Sequence, residues 1–145
     1  MATDILTYQP EHFDGVDKLW REAFPDDPPW NRAATAIPAK MQVQPDLFLV
    51  ALEDQTVVGS IMAGYDGHRG WLYAAAVLTS YRGAGIGAAL VREAEVRLQA
   101  LGCAKVNLQV RATNKAVLGF YESLDYAIEE RVSLGKRLRP TGSPR

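Results

Sequence analysis

Cysteine is almost missing from this chain: Cys103 is the single one in 145 residues, so no internal disulfide can form. Histidine is scarce too. His12 and His68 share no metal-ligand spacing with Cys103 or with each other, so no metal is expected. An excess of either charge is also missing, with 16 Lys and Arg against 17 Asp and Glu and a formal net charge of −1. Broad nucleic-acid binding leaves a basic footprint, so no nucleic-acid partner is expected. No stretch approaches the roughly 18 apolar residues that cross a bilayer. Residues 1–10 lack the basic start and apolar run of a signal peptide. The expectation is a reduced, cytoplasmic protein with no membrane partner.

What remains is the composition of a soluble globular protein, 48% apolar and 23% charged. At this length one domain buries a real core without staples. A single domain over residues 1–138 is expected, and residues 139–145, with Pro, Gly and Ser, read as a disordered tail.

Ile5–Tyr8 is a strand candidate, and Phe13, Val16, Leu19, Trp20 and Phe24 recur at helical spacing over about 10–23. The prolines from Pro25 to Pro29 end that helix. A second, weaker helix spans about 30–42, interrupted by Pro38. Leu47–Leu52 and Val57–Ala63 read as a hairpin turning at Glu53-Asp54-Gln55, and Trp71–Val77 as a third strand of the meander. Ile86, Leu90, Ala94, Leu98 and Leu101 form the stripe of the clearest helix, with Gly102 as its cap. Lys105–Val110 alternates as a strand. Asn114 N-caps a helix bearing Val117, Phe120, Tyr121 and Leu124, and Ala127–Leu138 reads as a last strand. The order β-α-α-β-β-β-α-β-α-β predicts an α/β (α+β) fold. Its central sheet is mixed and mostly antiparallel, with a parallel central pair, and helices flank it.

The most informative run is Tyr81-Arg82-Gly83-Ala84-Gly85-Ile86-Gly87, between a strand and the clearest helix. Glycines let backbone N–H groups converge, and a helix N-terminus adds unpaired N–H groups and a positive dipole end. That combination cradles an anion such as a pyrophosphate. A nucleoside-triphosphate loop needs Lys and a hydroxyl next, but Ala88 and Ala89 follow. A dinucleotide fold puts its first glycine at the strand end and an acid about 20 positions on. Here Leu78–Arg82 intervene, and 103–110 contains no Asp or Glu.

Arg82-x-x-Gly85-x-Gly87 resembles the signature of the GNAT family of N-acetyltransferases. A second match, Leu108-x-Val110-x-x-x-Asn114 through Phe120-Tyr121-Glu122-Ser123-Leu124, follows at family-like distance. The likeness covers nearly the whole chain. Within the family it looks closest to the YpeA-like acetyltransferases, and 109–124 is also similar to the ribosomal-protein N-terminal acetyltransferases.

The resemblance implies acetyl-CoA as co-substrate. Backbone N–H groups of Arg82, Gly83, Ala84, Gly85, Ile86 and Gly87 would hold its pyrophosphate. The strand ending at Ala75-Ala76-Val77 would pair with the pantetheine arm and polarise the thioester carbonyl. Asn114 and Tyr121 lie seven residues apart on one helix face, an amide for the pantetheine and a phenol as general acid at the sulfur. Packing and capping alone would also explain that pair. Where many relatives carry a base, this chain has Gln109, which can hold water but cannot take a proton. Asp66, His68 and Trp30 are candidates on the acceptor side, against a plain turn for the first two and a solvated loop around the third. The implied reaction is direct acetyl transfer to a primary amine of a small molecule, peptide or protein N-terminus. The rival is a non-catalytic acetyl-CoA sensor or partner subunit. Dimers sharing C-terminal strands are common in the family, so a homodimer is a further implication.

Overall fold

In the computed structural model, residues 3–139 are described, and the chain divides between Gln109 and Val110 into two compact units. The first unit holds one five-stranded sheet in the order β1-β2-β3-β4-β5. Its strands are β1 (Asp4–Thr7), β2 (Phe48–Glu53), β3 (Thr56–Tyr65), β4 (Gly70–Val77) and β5 (Val106–Asn107). Neighbours up to β4 are antiparallel, and β5 joins β4 in parallel. This is the mixed sheet with one parallel pair that the element order predicts.

The two faces follow from alternation along β2 and β3. Phe48, Val50 and Met62 pack with Val16, Leu19 and Trp20 of α1 (Phe13–Ala23) and Ala33 and Ile37 of α2 (Ala33–Lys40). Tyr8 stacks on Phe48 with ring centroids 4.4 Å apart. Gly59 and Ile61 lie on the opposite side, where α3 (Ile86–Ala100) buries Ile86, Leu90, Val91, Ala94 and Leu98. A Cβ on Gly59 would lie 2.9 Å from Leu90 Cδ1 and 3.2 Å from the Ala76 carbonyl oxygen. The helix thus sits against bare backbone, close to the end of β4. α3 ends in a paired closure, with Gly102 N–H donating to Gln99 and Cys103 N–H to Leu98. Gly102, at φ +92°, is the cap that its position in the sequence predicts.

Several expectations need correction. The first helix is an α-helix only from Phe13, because Pro10–His12 form a 3-10 turn closed by Gln9 and His12. Pro38 shortens the second helix to Ala33–Lys40 without breaking it, and Trp30 lies in a separate 3-10 turn, Pro29–Asn31. Leu47 precedes β2 in another such turn. Leu101 is 52% exposed, one residue past α3, so it does not continue the buried stripe. Lys105–Val110 keeps only Val106–Asn107 as strand, since parallel pairing stops after Trp71. The strand expected over Ala127–Leu138 is not formed. Those residues carry no regular structure, and alternation alone cannot make a strand without a neighbour to complete its hydrogen bonds. Of the expected tail, Arg139 is described, and 140–145 lie outside the described residues. No helix among the described residues is long and apolar enough to cross a membrane.

Gly59→Ala tests the close approach of α3. The Leu90 methyl can yield but the Ala76 backbone cannot, so the substitution should cost about 1–3 kcal/mol. Urea unfolding should show a lower midpoint with an unchanged slope.

Candidate active site

Regular pairing fails on β4. Its register against β3 runs Ser60↔Ala76 and then Met62↔Tyr73, so Ala74 and Ala75 together face one residue of β3. That is a β-bulge. Ala74 stands at φ +50°, a left-handed conformation that costs an ordinary residue roughly 1–2 kcal/mol. Ser60, fully buried on β3, donates from Oγ to the Ala74 carbonyl at 3.1 Å. The same oxygen accepts a 2.9 Å hydrogen bond from the indole Nε1 of Trp20.

The other edge of β4 is open. β5 meets it only at Gly70 and Trp71, so Leu72–Val77 have no strand on that side among the described residues. Past Val77 the chain turns through a 3-10 segment, Thr79–Tyr81. Glu22, near the end of α1, accepts hydrogen bonds at that corner from Thr79 N–H at 2.8 Å and Thr79 Oγ1 at 3.3 Å. Arg82 Nε donates back to the Val77 carbonyl at 3.2 Å. Gly83 at φ +85° and Gly85 at φ +82° then lead into α3, with Gly85 as its N-cap. A Cβ at either glycine would meet nothing within 4 Å, so backbone conformation, not crowding, demands glycine there. The first turn of α3 carries no acidic residue, and its N–H groups are unpaired within the helix. An open strand edge, a bulge and a glycine corner at a helix N-terminus therefore follow one another along fourteen residues, 74–87.

The second unit, described by itself, holds α4 (Lys115–Glu122). Asn114 caps it, its Oδ1 accepting from Val117 N–H at 3.2 Å. Tyr121 is buried, with the rings of Phe120 and Tyr126 edge-on at 5.0 and 5.6 Å. Burial pushes its phenol above the ordinary value of 10. Asp125 follows the helix at φ +71°, a geometry that Asp tolerates better than most residues.

Residues 13–126 match the profile of the acetyltransferase (GNAT) family, a span that covers most of the chain. The chain belongs to that family. It is accordingly an N-acetyltransferase. A protein named acetyltransferase from Yersinia pestis (strain Pestoides F) is 45% identical over 137 residues, covering 93% of this chain and 95% of its own length. Another, from Sodalis glossinidius, is 46% identical over 136 residues with the same coverage of both chains. Among solved structures, Ard1 from Thermoplasma volcanium superposes with a TM-score of 0.81 at 22% identity, over 89% of this chain and 85% of that one. Aminoglycoside N-acetyltransferase AAC(6')-Iy in complex with CoA gives 0.77 at 18%, over 94% and 95%. The NatC complex bound to Gag peptide and CoA gives 0.72 at 25%, over 86% and 84%.

Within this acetyltransferase, Ala75, Ala76, Val77 and Arg82–Gly87 come together at the C-terminal end of β4. Asp66 and His68 do not join them. They occupy the β3–β4 hairpin, before Gly70, at the end of β4 opposite Val77. Asp66 Oδ1 accepts from the N–H groups of Arg69 and His68, each at 2.7 Å, and those bonds hold its carboxyl below the usual range. His68 Nδ1 lies 3.4 Å from Arg69 Nη1. Turn chemistry accounts for this geometry. Trp30 is 45% exposed in the α1–α2 connection, and Gln109 is exposed just beyond β5. Among the described residues no group of His, Cys, Asp and Glu is arranged to hold a metal ion. A depression of about 390 Å³ lined by Thr7, Leu47 and Arg97 lies elsewhere. Its guanidinium is already bonded to Thr7, Asp46 and Glu93.

Sequence reasoning missed Ser60, Trp20, Glu22 and the bulge at Ala74. The one available signal was Ser60 itself, a lone hydroxyl within Val57-Val58-Gly59-Ser60-Ile61-Met62-Ala63. A hydroxyl in a strand buried on both faces must find a partner.

The raised phenol of Tyr121 has a sign that can be measured. The folded state favours the protonated form, so its contribution is complete below pH 10. It is lost as pH rises through the higher folded value. Wild type should therefore lose stability relative to Tyr121→Phe in urea titrations as pH rises above 10.

Proposed function

We propose that acetyl-CoA is the donor and that its acetyl group passes directly to a primary amine of a small molecule, peptide or protein N-terminus. The observation that carries this reading is the open edge of β4, running through a bulge into the glycine corner. Pantetheine carries two amides and can lie against an unpaired strand edge much as a further strand would. The N–H groups of Arg82–Gly87 would then meet the pyrophosphate. The CoA complex of AAC(6')-Iy and the peptide- and CoA-bound NatC complex support the donor and an amine acceptor.

The amine nitrogen attacks the thioester carbonyl carbon, and a backbone N–H at the bulge stabilises the oxygen as charge develops on it. The C–S bond then breaks, leaving an amide and a CoA thiolate. The family motif around Phe120-Tyr121-Glu122 implies that Tyr121 stands at the sulfur as general acid. Its phenol lies above 10, whereas an alkyl thiol titrates near 8.5, so complete proton transfer to sulfur runs uphill. The phenol therefore donates a hydrogen bond to sulfur as the C–S bond breaks, and the proton lost by the amine ends on the thiol.

No carboxylate stands at Gln109, which favours an acceptor that is neutral without help. At pH 7.5 an α-amine with pKa 7.7–8.0 is roughly a third neutral, and a lysine-like amine near 10.4 only about 0.1%. Trp30, with Asp26 and Asp27 before it, is the proposed acceptor-side surface, since an aromatic face and carboxylates suit a cationic amine. Gln109 is proposed to act at that side by holding an ordered water, whereas Asp66 and His68, in the hairpin at the far end of β4, take no part in this reading.

Two measurements test the reading. Thiol release with acetyl-CoA and a panel of amines should show turnover, greatest for low-pKa amines, and Tyr121→Phe should slow it by roughly 10²-fold. Tight acetyl-CoA binding with no thiol release for any amine would make the protein a sensor or partner subunit instead. Gly85→Val strains the left-handed N-cap and places a branched side chain over the N–H groups. With acetyl-CoA about 100-fold above its Kd, wild type should gain about 2.7 kcal/mol and the variant almost nothing.

A further inference from the structure

We infer that Ser60, backed by Trp20, is a positioning residue that aims the Ala75 N–H at the thioester carbonyl oxygen. This rests on the acetyl-CoA reading above and adds the device that orients its backbone donor. The Ala74 carbonyl and the Ala75 N–H belong to one planar peptide unit, in which the two groups point in opposite directions. Ser60 Oγ holds that carbonyl toward β3 at 3.1 Å. The N–H of the same unit is thereby turned away from β3, toward the side of β4 that no strand occupies among the described residues.

The serine hydroxyl has one hydrogen to give, and Trp20 decides where it goes. The indole Nε1–H occupies a lone pair of Oγ at 2.9 Å, which leaves the hydroxyl hydrogen free to point at Ala74. Hydrogen bonds in such a chain polarise one another in a buried setting. Among the described residues Ser60 is the one buried polar residue beside the apolar core, fully enclosed, and Trp20 is 5% exposed. Neither side chain needs to touch acetyl-CoA. Without them, Ala74 has a strained φ of +50° and no side chain securing it, and rotation of that peptide would relieve the strain. A catalytic donor held this way is preorganised before substrate arrives.

The test combines a resonance and a rate. In the ¹⁵N-labelled full-length protein, acetyl-CoA should shift the Ala75 amide downfield, and CoA, which has no acetyl carbonyl, should not. Ser60→Ala should lose that difference while Gly83 and Gly85 amides still respond to both ligands. In turnover, Ser60→Ala should lower kcat at least roughly tenfold with KM for acetyl-CoA changed by less than about threefold. Trp20→Phe keeps a ring in the core, should show a smaller loss of the same kind, and provides the readout if Ser60→Ala fails to fold. The double variant should be no slower than Ser60→Ala alone, because both act through one peptide. An undiminished Ala75 shift in both single variants, or losses confined to KM, would overturn the role of Ser60. No response of Gly83, Gly85 or Ala75 to either ligand in wild type would overturn the acetyl-CoA reading itself.

Discussion

Between Leu72 and Val77, β4 is bonded to β3 on one side and, among the described residues, to no strand on the other, and the rest of the site is arranged around that unequal pairing. Unpaired backbone on a sheet edge is satisfied by water or by a ligand that mimics a strand. The crossover through α3 produces the gap: it returns the chain parallel to β4, but β5 keeps register only at Gly70 and Trp71. The bulge at Ala74 lies within the stretch left open, and the glycine corner lies at its end.

The supports of this strand come from both faces of the sheet. Trp20 and Ser60 hold the bulge from the α1 side, and Glu22, near the end of the same helix, holds the corner at Thr79. From the other face, α3 packs against Gly59, opposite Val77 in the register, which sets the start of the helix close to the end of β4. Among the residues with positive φ, Ala74, Gly83 and Gly85 stand at the positions that the proposed donor would approach. Positive φ costs the glycines little, whereas at Ala74 the cost is offset by the buried hydrogen-bond chain.

Where local physics decides, the sequence was legible. Gly83 and Gly85 stand in the left-handed conformation their residue type permits, Asn114 caps its helix, and Gly102 closes α3. The meander β2-β3-β4 follows from alternation and from the Asp54-Gln55 turn, where both residues have positive φ as a tight hairpin requires. Legibility failed where pairing over distance decides. Val106–Asn107 is all that remains of a longer expected strand, and Ala127–Leu138, whose alternation is less regular, forms no strand.

The sequence by itself determined the family, the mixed sheet and the glycine corner at the start of α3, because spacing, glycine conformation and helix capping act over a few neighbouring residues. Only the tertiary structure decided that Ala74 is bulged, that Ser60 and Trp20 meet beneath it, and that Asp66 and His68 lie at the far end of the strand. Trp20 and Ser60 are 40 residues apart in the chain. A hydrogen bond across that separation depends on the helix and strand packing face to face, and no local pattern of residues encodes it.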